Sequence, residues 1–485
     1  MIAGAVVVLA LAAAPASSAP DRSIAAGAFA ITHVAVIPMD AERVLEDHTV
    51  IVRDGRIVAL GPAASLPAPA DAIEIDGRGK WLIPGLIDMH MHLLSDDRIA
   101  EDHAPAELAV IVANGITTGR IPIGRPGHLD LRERIADGRL VGPSLWVAGP
   151  QIAGRSFGAI FNGRAATNVD EARAAVREIA SSGYDFVKLT FLISREVFDA
   201  VVQTADEVGL RVIGHVGPEV GLERALESGM QIEHLDEYLE ALVPDAAPVT
   251  GGISGFGVWR PEGWASLDHA VESRLPALAR AVAEAGAWST PTQHFLVTAF
   301  GDRQQSDAEI LGSPDARFVS PEVRDELLRG HYQFWANPPS EERRRRFVAL
   351  RRAVIRALAD AGAPIMAGSD SPEWMLLYGF TLHRELEALV AAGLSPWEAL
   401  AAATVTPARW LADGEPDFGT IEAGKRADLV LLDADPLAAI DNTRRIAGVM
   451  LRGEWMDAAM LEDMLDASAE ELGRAPLRPE MKEGR

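Results

Sequence analysis

The chain has 485 residues, 48% of them hydrophobic, with a formal net charge of −25 and no cysteine. That length allows about three domains, or one large barrel with an attachment, and the hydrophobic fraction supports a sizeable core. The acidic balance argues against nucleic acid or an anionic membrane as partner, and the missing cysteine means that any hard or borderline metal must use nitrogen and oxygen ligands.

Residues 1–19 read as a signal peptide, with an apolar core over 2–14 and a small-residue cleavage site at Ser17-Ser18-Ala19, although no basic residue precedes the core. The expected location is exported, periplasmic or extracellular. No later segment is apolar for long enough to span a bilayer. Residues 30–83 show short strands and turns. The runs 49–52 and 57–60 flank Asp54-Gly55, a hairpin signal, and 72–75 leads into Asp76-Gly77. The same character returns over 415–456, where 427–432 and 446–451 read as strands and Arg452-Gly453 as a turn. These two flanks are expected to pair as one small β-sandwich domain.

Residues 84–414 alternate strands with helices. The spacing predicts helices over 171–179, 271–285 and 347–361, with Pro276 marking a start inside the second. The four arginines 343–346 open the third and read as a solvated face. Short apolar runs at 82–87, 116–118, 145–148, 186–189, 211–213, 230–232, 288–290 and 364–367 supply eight strands. Strands that alternate with helices in this way predict an α/β fold, a (β/α)8 TIM barrel with its active site at the C-terminal strand ends. Residues 297–345 break the rhythm and are expected to form a lid or pocket wall. A C-terminal helix and loose tail occupy 457–485.

Metal-binding side chains follow five of the apolar runs. His90 and His92 lie two positions apart, a spacing that points both imidazoles to one face of a strand. Lys188 sits inside an apolar run, where it must be paired or neutral. Taken alone it fits an ion pair with a nearby carboxylate. In the company of four strand-end histidines it fits carbamylation by carbon dioxide, which needs a desolvated, easily deprotonated amine. His215 and His234 end successive strands and suit a second divalent ion, and Asp370 follows the last strand. Asp370 could ligate one ion and take a proton from bound water, which a metal makes nucleophilic near neutral pH; its plainer reading is a helix N-cap. His294, just past the seventh run, is expected to line the pocket.

The segments DGRIVALGP, IDGRGKWLIPGLIDMHMH, GYDFVKL, VIGHV, QIEHLDEY, MAGSDS and GTIEAGKRADLVLLDADPL resemble the amidohydrolase superfamily, in its imidazolonepropionase-like and prolidase-like branch of metal-dependent hydrolases. The resemblance covers residues 30 to 455. It implies two divalent ions, usually zinc: His90, His92 and Asp370 on the first, His215 and His234 on the second, with carbamylated Lys188 bridging and Asp370 and Lys188 counted as catalytic. It also implies hydrolysis of amide bonds in small molecules, often dipeptides or N-acyl amino acids. The sequence departs from the pattern where relatives touch substrate, at Gly119-Arg120-Ile121 and at Ile152-Ala153-Gly154-Arg155. Arg155 or Arg120 is therefore expected to hold a substrate carboxylate at the barrel mouth, with Tyr238 a further contact. A cyclic-amide hydrolase, a lactonase and a non-catalytic scaffold are the competing readings, and a homo-oligomer stays open.

Overall fold

A computed structural model of the chain describes residues 27–481 apart from 155–162 and the single positions 191, 250, 302, 413 and 480. The expected signal peptide lies outside the described residues. Strands Leu45–Arg53 and Arg56–Pro62 form the hairpin read from Asp54-Gly55. Asp54 and Gly55 have φ of 49° and 77°, the paired left-handed residues a two-residue turn requires. The first strand, Ala28–Val36, pairs with Leu45–Arg53 on one side and with Ala72–Asp76 and Trp81–Pro84 on the other.

Trp81–Pro84 then joins the two ends of the chain. It pairs antiparallel with Leu429–Leu432, which carries Ile446–Leu451 and Glu454–Asp457 in turn. The flanks therefore meet, but in a single hydrogen-bonded sheet of eight strands, where the sequence reading expects a sandwich. Their shared core takes Ile31, Val34, Val50 and Leu82 from one flank and Leu429, Leu431 and Met450 from the other.

The middle of the chain forms a TIM-barrel-like α/β fold. Parallel strands Leu86–Asp88, Ile116–Ile121 and Ser144–Val147 make one sheet. Phe186–Leu189, Arg211–Gly214, Gln231–Glu233 and Ser289–Thr290 make another, edged by Ile152–Ala153 and Arg164–Ala165. A parallel bridge between Ala148 and Phe186 links the two sheets. The eighth run, 364–367, is tied in by backbone bonds rather than as a regular strand. The Ser289 N–H donates to the Pro364 carbonyl (3.1 Å), that of Met366 to Ser289 (2.9 Å) and that of Met89 to Ala367 (3.0 Å).

The helices follow their apolar periodicity. Val169–Ser181 buries Ala172, Ala175, Val176 and Ile179. Leu275–Glu284 starts at Pro276 rather than at 271 and buries Leu278, Ala279 and Val282. Glu341–Asp360 buries Leu350, Val354 and Leu358 but begins before the predicted 347, because the Ser340 side chain caps it by accepting the Arg343 N–H. The four arginines do more than face solvent: Arg343 pairs with Asp268, and Arg346 donates to the carbonyls of Leu267 and Ala270. The 297–345 insertion contains helices Asp307–Leu311 and Pro321–Ala336. At the end of the chain, Asp457 caps helix Ala458–Leu472. Among the described residues no helix is long and apolar enough to cross a membrane.

Candidate metal centre

His90, His92, Lys188, His215, His234 and Asp370 all line one cavity of about 340 Å³. Asp370 is the hub. Its Oδ1 lies 3.4 Å from His90 Nε2 and 3.5 Å from His92 Nε2, and its Oδ2 lies 3.6 Å from His234 Nδ1. The ligand atoms of His90, His234 and Asp370 all fall within 4.8 Å of one another. His215 stacks on His234 with ring centroids 4.7 Å apart.

Backbone geometry explains the convergence. The strand before His90 ends at Asp88, yet the extended pattern continues against the last run. Asp370 N–H donates to His90 O (2.7 Å), and His92 N–H donates to Ser371 O (2.8 Å). That pairing keeps His90 and His92 on one side, as their spacing predicts. His234, Thr292 and Asp370 take left-handed φ of 58°, 43° and 53°. Such strain in non-glycine residues costs of order 1–3 kcal/mol each and gathers at functional sites. Asp370 caps no helix, since the short turn Glu373–Met375 has Pro372 at its N-cap and no side-chain cap bond.

Three of the four histidines have a further polar partner. His90 Nδ1 bonds Glu233 Oε2 (2.7 Å), His215 Nδ1 bonds Asp236 Oδ2 (2.8 Å) and His234 Nδ1 meets Thr292 Oγ1 (2.7 Å). With Nδ1 of His90 occupied by Glu233, its Nε2 is the atom left facing Asp370, an arrangement typical of metal-ligating histidines. Burial pushes His90 down to about 4 against the opposing charges of Glu233 and Asp370, and holds His234 well below the usual imidazole range. Both are therefore neutral and available as ligands near pH 7. Burial alone would raise the Asp370 carboxyl, but the surrounding imidazoles of His90, His234 and His92, the last also through a hydrogen bond, outweigh it and hold the group well below the usual carboxylate range. Burial also lowers the Lys188 ammonium, with Glu233 as the largest opposing influence. The donor set fits a divalent ion of the zinc class, which takes imidazole and carboxylate ligands.

Other sequence expectations fare differently. Arg120 does not reach the barrel mouth. It is fully buried, donating from Nε to Met89 O (2.6 Å) and from its terminal nitrogens to Gln231 Oε1 (2.8 Å) and Glu233 Oε1 (2.5 Å). The physical reason is burial on both faces: every position of Ile116–Ile121 is buried, and a guanidinium there must find its acceptors inside. Tyr238 is likewise buried, with its hydroxyl on Ser289 Oγ (2.8 Å), and lies outside the cavity lining. His294 is not in the lining either, although its neighbours Phe295 and Leu296 are. Arg155 lies outside the described residues.

The sequence reading missed Glu233, Asp236 and Thr292, which orient the histidines. It also missed Arg351, which donates to His234 O (2.8 Å), Pro291 O (2.8 Å) and Gln293 Oε1 (2.9 Å). A signal existed for Glu233, since Gln231 and Glu233 flank Ile232 in a strand with no exposed position. One wall of the cavity is aromatic, built from Trp259, Phe295, Phe300 and Trp374. Phe300 lies 4.9 Å from Trp374 and 5.9 Å from Trp259 between ring centroids. Phe300 heads the 297–345 insertion, and Phe334 from the same insertion packs on it at 5.0 Å, so this segment does form pocket wall.

The sequence pattern of the amidohydrolase family matches residues 81–456. The imidazolonepropionase of Ralstonia nicotianae is 51% identical over 65 residues, 13% of this chain and 16% of that protein. That of Micrococcus luteus is 39% identical over 100 residues, 20% of this chain and 24% of that protein. The matched stretches thus span less than a quarter of these curated relatives. Among solved structures, bottromycin amidohydrolase superposes with a TM-score of 0.70 at 23% identity, covering 93% of this chain and 91% of that one. A Xaa-Pro dipeptidase with methionine bound in its active site gives 0.61 at 19% identity, covering 89% and 100%. At these identities the likeness is one of fold.

Proposed function

As the chain belongs to the amidohydrolase family, we propose that it is an exported, binuclear, metal-dependent hydrolase of amide C–N bonds, acting on small peptides or N-acyl amino acids that carry a bulky apolar group. The observation that carries this reading is the meeting of four imidazoles, a buried lysine and an ionised carboxylate in one cavity. His90, His92 and Asp370 would hold one ion, and His215 and His234 the other. Lys188, when deprotonated, would attack carbon dioxide through Nζ, forming an N–C bond and releasing a proton, and the resulting carbamate would supply a bridging carboxylate. Divalent ions bound there, zinc by choice of ligands, supply Lewis acidity that polarises the amide carbonyl and lowers the pKa of water toward about 7.

The protein's own groups do the rest. Asp370, ionised and central, accepts the proton of the attacking water and returns it to the leaving amine nitrogen. Glu233, Asp236 and Thr292 keep the imidazoles oriented. The aromatic wall of Trp259, Phe295, Phe300 and Trp374 receives the apolar part of the substrate and excludes water from the scissile bond. The apolar stretch and small-residue site in residues 1–19 support export.

The local identity to imidazolonepropionases favours a second reading, hydrolysis of a cyclic amide; Lys188 speaks against it, because a single-metal site needs no bridging carboxylate. The test is metal analysis of active protein alongside a screen of dipeptides, N-acyl amino acids, lactones and cyclic amides. Two ions per chain with turnover of linear amides is the expected result. Full activity with one ion, or turnover restricted to cyclic amides or lactones, overturns the proposal.

A further inference from the structure

Among the described residues, three arginines line the cavity: Arg98, Arg125 and Arg351. Two of them already have acceptors. Arg98 pairs with Asp97 (3.0 Å) and Glu373 (2.7 Å). Arg351 donates to Gln293 and to the carbonyls of His234 and Pro291. Arg125 is different. It forms no ion pair or hydrogen bond through its side chain with any described residue; its Nε is buried with no acceptor, as is that of Arg98, but Arg98 has its two carboxylates and Arg125 has none. The residue sits past the second barrel strand, Ile116–Ile121, as the N-cap of helix Pro126–Ala136. Thr190, past the fourth strand, lines the same cavity, and its buried Oγ1 also lacks a partner.

A buried guanidinium Nε without an acceptor is a standing cost, because that donor has given up water and gained nothing. Among the described arginines of this cavity, Arg125 is the one whose guanidinium has no acceptor from the described residues. The ligand that relieves it is an anion, and the planar fork of a guanidinium matches the two oxygens of a carboxylate. The same cavity is lined by the rings of Trp259, Phe300 and Trp374. Trp259 keeps 45% of its surface exposed, an apolar area that a substrate side chain can cover.

We infer that Arg125 is the residue that binds the free carboxylate of the substrate, with the aromatic wall taking its apolar group, so that the substrates are acidic amides bearing an aromatic or comparably bulky side chain. This rests on the proposed amide-hydrolase reading and names its substrate class. Arg125 takes the role that the sequence assigns to Arg120 or Arg155. It binds and orients; it handles no proton, and no bond to it is made or broken. Thr190 Oγ1, unpartnered in the same cavity, is the further donor open to that ligand.

The test uses the full-length, metal-loaded protein and two probes that share a phenyl ring, 3-phenylpropionate and its neutral amide, 3-phenylpropanamide. Binding is followed by calorimetry and by the fluorescence of the cavity tryptophans. The wild type should prefer the acid. Arg125→Met should weaken the acid by roughly 10- to 100-fold, the range for a hydrogen bond to a charged group, and leave the amide unchanged. Arg125→Lys should recover part of the preference, and Arg125→Gln serves if Arg125→Met does not fold. Equal weakening of both probes, an unchanged acid preference in the variants, or no preference in the wild type overturns the assignment. These readouts do not involve turnover. Failure of the hydrolase reading would instead appear as missing metal or missing amide cleavage while the Arg125 effect on binding remained.

Discussion

Removing the Glu233 carboxylate should expose how far the centre depends on charge held behind it. Glu233 is fully buried and serves two partners at once, His90 Nδ1 at 2.7 Å and the Arg120 guanidinium at 2.5 Å. Arg120 is equally buried. Glu233→Leu would strand Arg120 as a buried cation without its ion pair, and breaking a buried pair from one side costs about 3–5 kcal/mol. The same change frees the His90 ring, and loss of such an orienting partner typically lowers metal affinity by about 10–100-fold. Arg120→Leu in addition removes the stranded charge. The double variant should then lose less stability than the two single variants together, with a coupling of about 0.5–3 kcal/mol. Urea denaturation of the four chelator-treated proteins at one pH measures the cycle, and calorimetric zinc titration measures the metal effect. Additive losses, or a Glu233→Leu protein destabilised by less than about 1 kcal/mol, would show that the pair is not a buried ionic unit and refute the reasoning.

Lys188→Ala should lose most activity, and short carboxylic acids such as formate or acetate should restore part of it by supplying a bridging carboxylate; a near-normal kcat rules out the carbamate. Asp370→Asn should lower kcat by at least about 10²-fold and change KM little, as loss of a proton-transfer group acts in the transition state; steady-state kinetics with the best substrate decide it. A pH effect should come from Glu107, which accepts the N–H groups of Leu94 (2.6 Å) and Ser95 (3.0 Å) and which burial pushes up from 4.5 to about 8. The folded protein holds this proton more tightly than the unfolded chain. Its contribution is therefore complete below pH 4.5 and is lost as pH rises toward 8. The thermal midpoint should fall over that interval and fall less steeply in Glu107→Gln; parallel curves for the two proteins would exclude the assignment.

Much of this protein is determined locally, and that part is legible in the sequence. The hairpin at Asp54-Gly55 follows from two residues that tolerate left-handed backbone. The helices over Val169–Ser181 and Glu341–Asp360 follow from apolar spacing, and the positions of His90, His92, Lys188, His215, His234 and Asp370 follow from the rule that barrel function gathers at the C-terminal strand ends. What the tertiary structure alone decided is the pairing of groups distant in sequence. Glu233 stands 143 positions from His90 and 113 from Arg120, and no local pattern says that the three meet. Arg120 and Arg125 lie five residues apart, yet the first is neutralised inside the barrel while the second lines the cavity with no partner among the described residues. Composition and spacing treat the two alike. Only the packing of the neighbouring strands sets which guanidinium finds an internal carboxylate and which is left for a ligand, because desolvation and Coulomb energy depend on distance through space and not along the chain.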